Sequence, residues 1–195
     1  ETPLVNGIVD FLENKNIKVF GPNFRAAKLE GSKIFAREFC EKYSIPQPNF
    51  QSFSNIIKAQ SYIKSMDEKN GYVIKADGLA SGKGVVVTNN RNEALNYIND
   101  LMVNEIFGDA GKSLLIEERL EGPEASIFAL SDGKNHILFS TAQDYKRVFE
   151  NNNGPNTGGM GSISPSPIID EMMLRRISKE IISPVINGMR MEGTP

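Results

Sequence analysis

The sequence predicts an α+β or mixed α/β protein. Segments with helical apolar spacing alternate with short runs rich in Val, Ile and Leu. A tight-turn signal joins at least one pair of those runs, so some strands are antiparallel. The strings richest in glycine and charge fall at strand ends, where ligands are commonly held.

In chain order, Val5, Ile8, Val9 and Leu12 mark a helix over 4–13. Ile17 to Phe20 reads as a short strand closed by Gly21-Pro22. Ser32 suits the N-cap of a helix over about 33–43, stopped by Ile45-Pro46-Gln47-Pro48. Ile56, Ala59, Ile63 and Met66 form one helical stripe. Strands follow at 72–75 and 85–88. Asn90, with Glu93 three residues on, gives a capping-box-like start to a helix faced by Ala94, Ile98, Leu101 and Met102. Residues 114–117 form another strand, and 126–130 and 137–140 pair around Asp132-Gly133. Residues 150–166, rich in Asn, Gly, Pro and Ser, read as loop. Asp170 opens a last helix with Met173, Ile177 and Ile181 on one face.

The 195 residues suit one large domain or two small ones. A net charge of −2 lacks the basic excess of a duplex nucleic-acid binder. No apolar run approaches the roughly 20 residues of a membrane span, and the N-terminus has no signal-peptide pattern. One cysteine, Cys40, allows no intrachain disulfide and fits a reducing cytoplasm. With one histidine, His136, beside it, a zinc site is not expected.

Three constellations carry chemistry. In Ile74-Lys75-Ala76-Asp77-Gly78-Leu79-Ala80-Ser81-Gly82-Lys83-Gly84-Val85 a strand ends in lysine, three glycines follow within seven residues, and a strand resumes. Glycines let backbone N–H groups approach an anion, and lysine adds compact positive charge. The spacing is not a Walker A loop, and no helix follows. Second, acidic residues follow a strand in Glu117-Glu118-Arg119-Leu120-Glu121-Gly122-Pro123-Glu124, where carboxylates and strand-end backbone suit ribose hydroxyls and an adenine edge. Third, Asp144, Lys146 and Arg147 precede the Gly154–Gly161 loop, a set suited to a phosphate or carboxylate. Each alone also reads as a solvated turn or loop.

Read in order, the motifs resemble the phosphoribosylamine–glycine ligase family of ATP-grasp enzymes. They are Gly21-Pro22, Leu29 to Lys33, Ile45-Pro46, Lys75 to Val87, Glu117 to Ser126, Ala142 to Arg147, Gly154 to Gly161 and Ser164-Pro165. The resemblance covers nearly the whole chain. Tyr145 stands where many members carry histidine. It implies an α+β ATP-grasp fold, incomplete at both ends: 1–20 as the last helix and strand of a Rossmann-like domain, 21–46 as linker and first helix, 47–118 as the lid, and 119–195 as the start of the main lobe.

The resemblance also implies an ATP-dependent ligase of purine biosynthesis, cytoplasmic and monomeric when intact. Such an enzyme joins glycine to 5-phosphoribosylamine through a glycyl phosphate. Lys33 and Lys75 match the phosphate-contacting lysines, and Gly78, Ser81, Gly82, Lys83 and Gly84 the flap. Glu117, Glu118 and Leu120 match the adenine hinge, and Glu124 the ribose carboxylate. Asp144, Lys146, Arg147, Asn156, Thr157, Gly158, Gly159 and Met160 match the region holding glycine and the ribose phosphate, with Lys75, Lys146 and Arg147 closest to catalysis. The family's Mg²⁺ ligands, a Glu and an Asn, belong to a C-terminal part beyond Pro195, so no metal ligand is expected here and the chain alone is expected to be inactive. The alternatives are another ATP-grasp carboxylate–amine ligase and a non-catalytic nucleotide-binding module.

Overall fold

The computed structural model describes residues 1–80, 83–150 and 153–195, with backbone alone at Pro155 and Asn156. The chain divides into two compact units, Glu1–Leu120 with Thr194, and Glu121–Gly193 with Pro195.

The first unit begins with short helices α1 (Thr2–Val5), α2 (Ile8–Glu13) and α3 (Lys28–Gly31), then α4 (Lys33–Lys42). Gly7 at φ +83° breaks the predicted first helix in two. Residues 17–20 form no strand, contrary to their apolar pattern. Among the described residues no strand pairs with them to complete a ladder, and Ile17 and Phe20 stay exposed.

The body of this unit is a four-stranded sheet in the order β1 (Phe50–Phe53), β4 (Leu114–Glu117), β2 (Tyr72–Ala76), β3 (Val85–Thr88), antiparallel throughout. Helices α5 (Ile56–Ser65) and α6 (Arg91–Met102) cover one face. Strand side chains alternate between faces. Tyr72, Ile74 and Ala76 of β2, with Leu114 and Ile116 of β4, therefore point into a core completed by Ala59, Ile63, Ala94, Ile98 and Leu101. The same alternation puts Val73, Lys75, Leu115 and Glu117 on the other face. Strand β1 has weak alternation, and pairing with the inner strand β4 makes it a strand.

The caps follow the sequence closely. Ser32 Oγ accepts from Phe35 N, Asn55 from Lys58 N, and Asn90 from the amides of Asn92 and Glu93. The capping box at Asn90 does not close. Glu93 instead accepts from Thr88 Oγ1, and that oxygen accepts from Asn90 N.

In the second unit, β5 (Ala129–Ser131) and β6 (His136–Leu138) form the hairpin expected at Asp132-Gly133. Asp132 accepts from the amides of Asn135 and Lys134, which, with the Asn135 side chain, lower its pKa to about 2. Strand β7 (Gln143–Phe149) pairs with β8 (Asn153–Ile163). The predicted loop at 150–166 is thus mostly strand. Its register shifts twice, and Gly154, Gly159 and Gly161 take φ of +84°, +140° and +149°, which is why its composition resembles a loop. Helices α7 (Glu171–Ile177) and α8 (Ser183–Met191) are joined by a π turn, Ser178–Ile182. Pro184 lacks the N–H that a continuous helix would use there.

Ile74 is fully buried and Val87 is half exposed on an edge strand. Ile74→Ala is expected to destabilise the first unit by about 2–5 kcal/mol and Val87→Ala by well under half of that. Equal shifts of the urea midpoint would contradict this assignment of the core.

Candidate functional site

The sheet face opposite α5 and α6 carries charge. Lys75 lies opposite Leu115 and Glu117 opposite Val73, so Lys75 and Glu117 are diagonal neighbours on adjacent strands. Lys75 Nζ meets Glu117 Oε2 at 2.7 Å. From α4, Arg37 Nε donates to Glu117 Oε1 at 2.7 Å and its Nη2 to Oε2 at 3.2 Å. The Glu117 side chain is only 2% exposed, while Lys75 and Arg37 keep about a quarter of theirs. Burial pushes the Glu117 carboxyl up. The hydrogen bonds and charges of Arg37 and Lys75 together outweigh it, and the net shift is downward.

The turn after β2 fixes Lys33. Asp77 Oδ1 accepts from Ile34 N at 2.8 Å and Ser32 Oγ at 2.9 Å, and Asp77 O accepts from Lys33 N at 3.1 Å. A carboxylate thus sits at the N-terminus of α4, where the helix dipole favours it. Lys33 Nζ donates to Gly78 O at 3.2 Å. Lys33 and Arg37, four residues apart, share a helix face. With Lys75, Glu117, Leu29, Ala36, Leu79 and Ala80 they line a cavity of about 420 Å³, also bordered by Glu1 and Glu30.

The Gly-rich turn is less free than its composition suggests. Gly78 N donates to Ala110 O at 3.3 Å, and a Cβ on Gly78 would lie 2.8 Å from Ala110 Cβ. Gly78 therefore permits close packing, and its N–H is not available to an anion. Gly84 O accepts from Ala76 N, and Lys83 N donates to Ala80 O. Ser81 and Gly82 lie outside the described residues. At the end of β4, Glu118 accepts from Asn49 N and Nδ2, both at 2.9 Å, which lowers its pKa. Glu118 fastens the strand end, and Leu120 is exposed.

The remaining predicted residues fall in the second unit. Lys146 Nζ pairs with Asp144 at 3.0 Å. The hydrogen bond and charge of Lys146 lower the Asp144 pKa, and those of Asp144 raise the Lys146 pKa, with a smaller contribution from the charge of Glu124. Arg147 Nη1 donates to Gly154 O at 2.7 Å. Thr157 Oγ1 donates to Lys146 O and accepts from Gly159 N. Asn156 sits opposite Arg147 in the β7–β8 ladder. Gly158 and Gly159 share β8 with Met160, whose side chain is exposed.

Sequence reading missed Arg37 and Asp77. Arg37 had one available signal, its i+4 spacing from Lys33. Among the described residues, no group of three or more His, Cys, Asp or Glu could hold a metal ion. None of their helices is long and apolar enough to cross a membrane.

An antiparallel sheet backed by two helices, with a lysine-lined cavity on its other face, fits the ATP-grasp class, to which the matching family model assigns the chain. The biotin carboxylase domain of 2-oxoglutarate carboxylase from Hydrogenobacter thermophilus, solved with MgADP, ADP and bicarbonate, shares the fold. It aligns with a TM-score of 0.67 at 21% identity, over 95% of this chain and 39% of that one.

Within that class the chain belongs to the phosphoribosylglycinamide synthetase ATP-grasp (A) domain family, whose model matches residues 31–195. The phosphoribosylamine–glycine ligase of Caldanaerobacter subterraneus subsp. tengcongensis is 46% identical over 99% of this chain and 46% of its own length. The crystal structure of phosphoribosylamine–glycine ligase from Thermotoga maritima aligns with a TM-score of 0.81 at 36% identity, over 90% of this chain and 44% of that one. The chain spans about half the length of these relatives.

The depressed Glu117 pKa has a signed consequence. Its stabilisation is fully present above the ordinary value of 4.5 and is lost as pH falls through the lower folded-state value. As pH falls below the ordinary value of 4.5, the denaturation midpoint is expected to fall more steeply for the wild-type chain than for Glu117→Gln. Parallel curves would show that Glu117 is not held as described.

Proposed function

We propose that this chain supplies part of the ATP-grasp portion of a phosphoribosylamine–glycine ligase. Such an enzyme joins glycine to 5-phosphoribosylamine at the expense of ATP, giving glycinamide ribonucleotide, ADP and phosphate. The observation that carries the nucleotide reading is the cavity at the root of the Gly-rich turn, lined by Lys33, Lys75 and Arg37, where Lys75 and Arg37 hold one buried carboxylate. The substrates rest on the family and on the relatives' names.

ATP supplies the phosphoryl group that activates a carboxylate toward an amine. The protein's share of phosphoryl transfer is mainly positioning and charge neutralisation. Lys33 and Lys75 suit that role because each ammonium keeps further donors beyond its protein contact. On this reading residues 47–118 form the lid, with Gly78 to Gly84 as its flap. The strand end at Glu117 to Leu120 meets adenine, and Glu124 meets ribose. Asp144, Lys146 and Arg147, with Asn156 to Met160, orient glycine and the ribose phosphate, Lys146 and Arg147 by their charge. Mg²⁺ would accompany the nucleotide. A cytoplasmic location is part of the same reading.

Calorimetric titration of the chain with Mg-ATP tests the nucleotide claim. Wild type is expected to bind, and Lys75→Ala to bind at least about tenfold more weakly, as loss of a charge-assisted phosphate contact predicts. Equal affinity in the two would remove Lys75 from the site. For the whole protein, ADP release is expected to require both glycine and phosphoribosylamine. Release driven by another amine and acid pair would favour a different ligase of the class.

A further inference from the structure

The reading above assigns Arg37 no contact with a substrate, yet among the described residues it makes two of the three contacts that hold Glu117. We propose that Arg37 is a positioning residue for the phosphate site: by holding both oxygens of Glu117 it keeps the Lys75 ammonium shared with the cavity instead of captured by the carboxylate. The inference rests on the nucleotide reading of this cavity.

The geometry supports it in three ways. First, a carboxylate this deeply buried must be paired, because an isolated buried charge is costly. Its partners come from two elements, Arg37 on α4 and Lys75 on β2. Second, the pairing is divided unequally. The Arg37 fork reaches both oxygens, whereas Lys75 reaches one. A guanidinium is planar, always charged and matched to a carboxylate. An ammonium has three donors, so a single contact leaves two for a phosphate. Third, Arg37 and Lys75 both line the cavity and both remain partly exposed, so the balance between them is set where an anion would enter.

Without Arg37, Lys75 would be the sole cation on a buried carboxylate. The pair would tighten, and the cavity would lose one positive charge. Arg37 thus acts on phosphate through Glu117 and Lys75.

The test uses the 195-residue chain with Arg37→Gln and Arg37→Lys, the Glu117 carboxyl carbon followed by NMR through a pH titration, and Mg-ATP binding followed by calorimetry. In Arg37→Gln the Glu117 titration is expected to move up by about one pH unit or more. Affinity for Mg-ATP is expected to fall about tenfold or more, and Arg37→Lys, which restores the charge but not the fork, to recover part of both. A purely structural arginine would lower the melting temperature and leave both readouts in place, which overturns the proposal. A moved Glu117 titration with affinity held within about twofold also overturns it, because Arg37 would then hold Glu117 without governing Lys75. If Arg37→Gln does not fold, Arg37→Lys decides by the same two readouts, since loss of the fork alone should shift both. Absence of Mg-ATP binding by wild type would sink the nucleotide reading instead, and the carboxyl titration would still show whether Arg37 holds Glu117.

Discussion

One buried carboxylate organises the first unit of this chain. Glu117 ends β4, one of the two inner strands of the sheet, and is almost wholly removed from water. Such a group stays ionised only when cations and hydrogen bonds replace its hydration. Arg37 and Lys75 provide that replacement, and in doing so they tie α4 to β4 and β2. Helix α4 is tied a second time, at its N-terminus, by Asp77 at the end of β2. The cation-lined cavity exists because these two ties place Lys33, Arg37 and Lys75 around one space.

The sheet makes the arrangement possible through elementary alternation. Odd and even positions of β2 and β4 serve different tasks. Tyr72, Ile74, Ala76, Leu114 and Ile116 build the apolar core with α5 and α6. Lys75 and Glu117, on the opposite face, hold the charge. A slip of one residue in either strand would exchange these roles, burying lysine among the apolar side chains. The strength of the core therefore secures the register on which the site depends.

Much of this was legible in the sequence, for identifiable reasons. The α+β class, the β2–β3 strands around the Gly-rich turn, and helices α4, α5 and α6 all had strong periodicity or clear caps. Lys33, Lys75 and Glu117 stood out because each lies in a distinctive string. Arg37 did not, because an arginine between Ala36 and Glu38 on an amphipathic helix looks like solvated surface, and its partner lies 80 residues away. Gly78 looked like a phosphate donor, but its N–H is spent on Ala110. The stretch at 150–166 looked like loop because its glycines and asparagines obscure a strand that only pairing with β7 reveals. Residues 17–20 had the composition of a strand and, among the described residues, no partner to make one. For Arg37 and Gly78 a contact distant in sequence decided the outcome.

The most direct measurement is a crystal structure of this chain with Mg²⁺ and a non-hydrolysable ATP analogue. Phosphate oxygens are expected within hydrogen-bonding distance of Lys33 Nζ and Lys75 Nζ, with Arg37 still holding Glu117. Nucleotide bound elsewhere, such as in the open groove lined by Glu68, Thr88 and Asn89 to Asn92, would contradict the placement of the site.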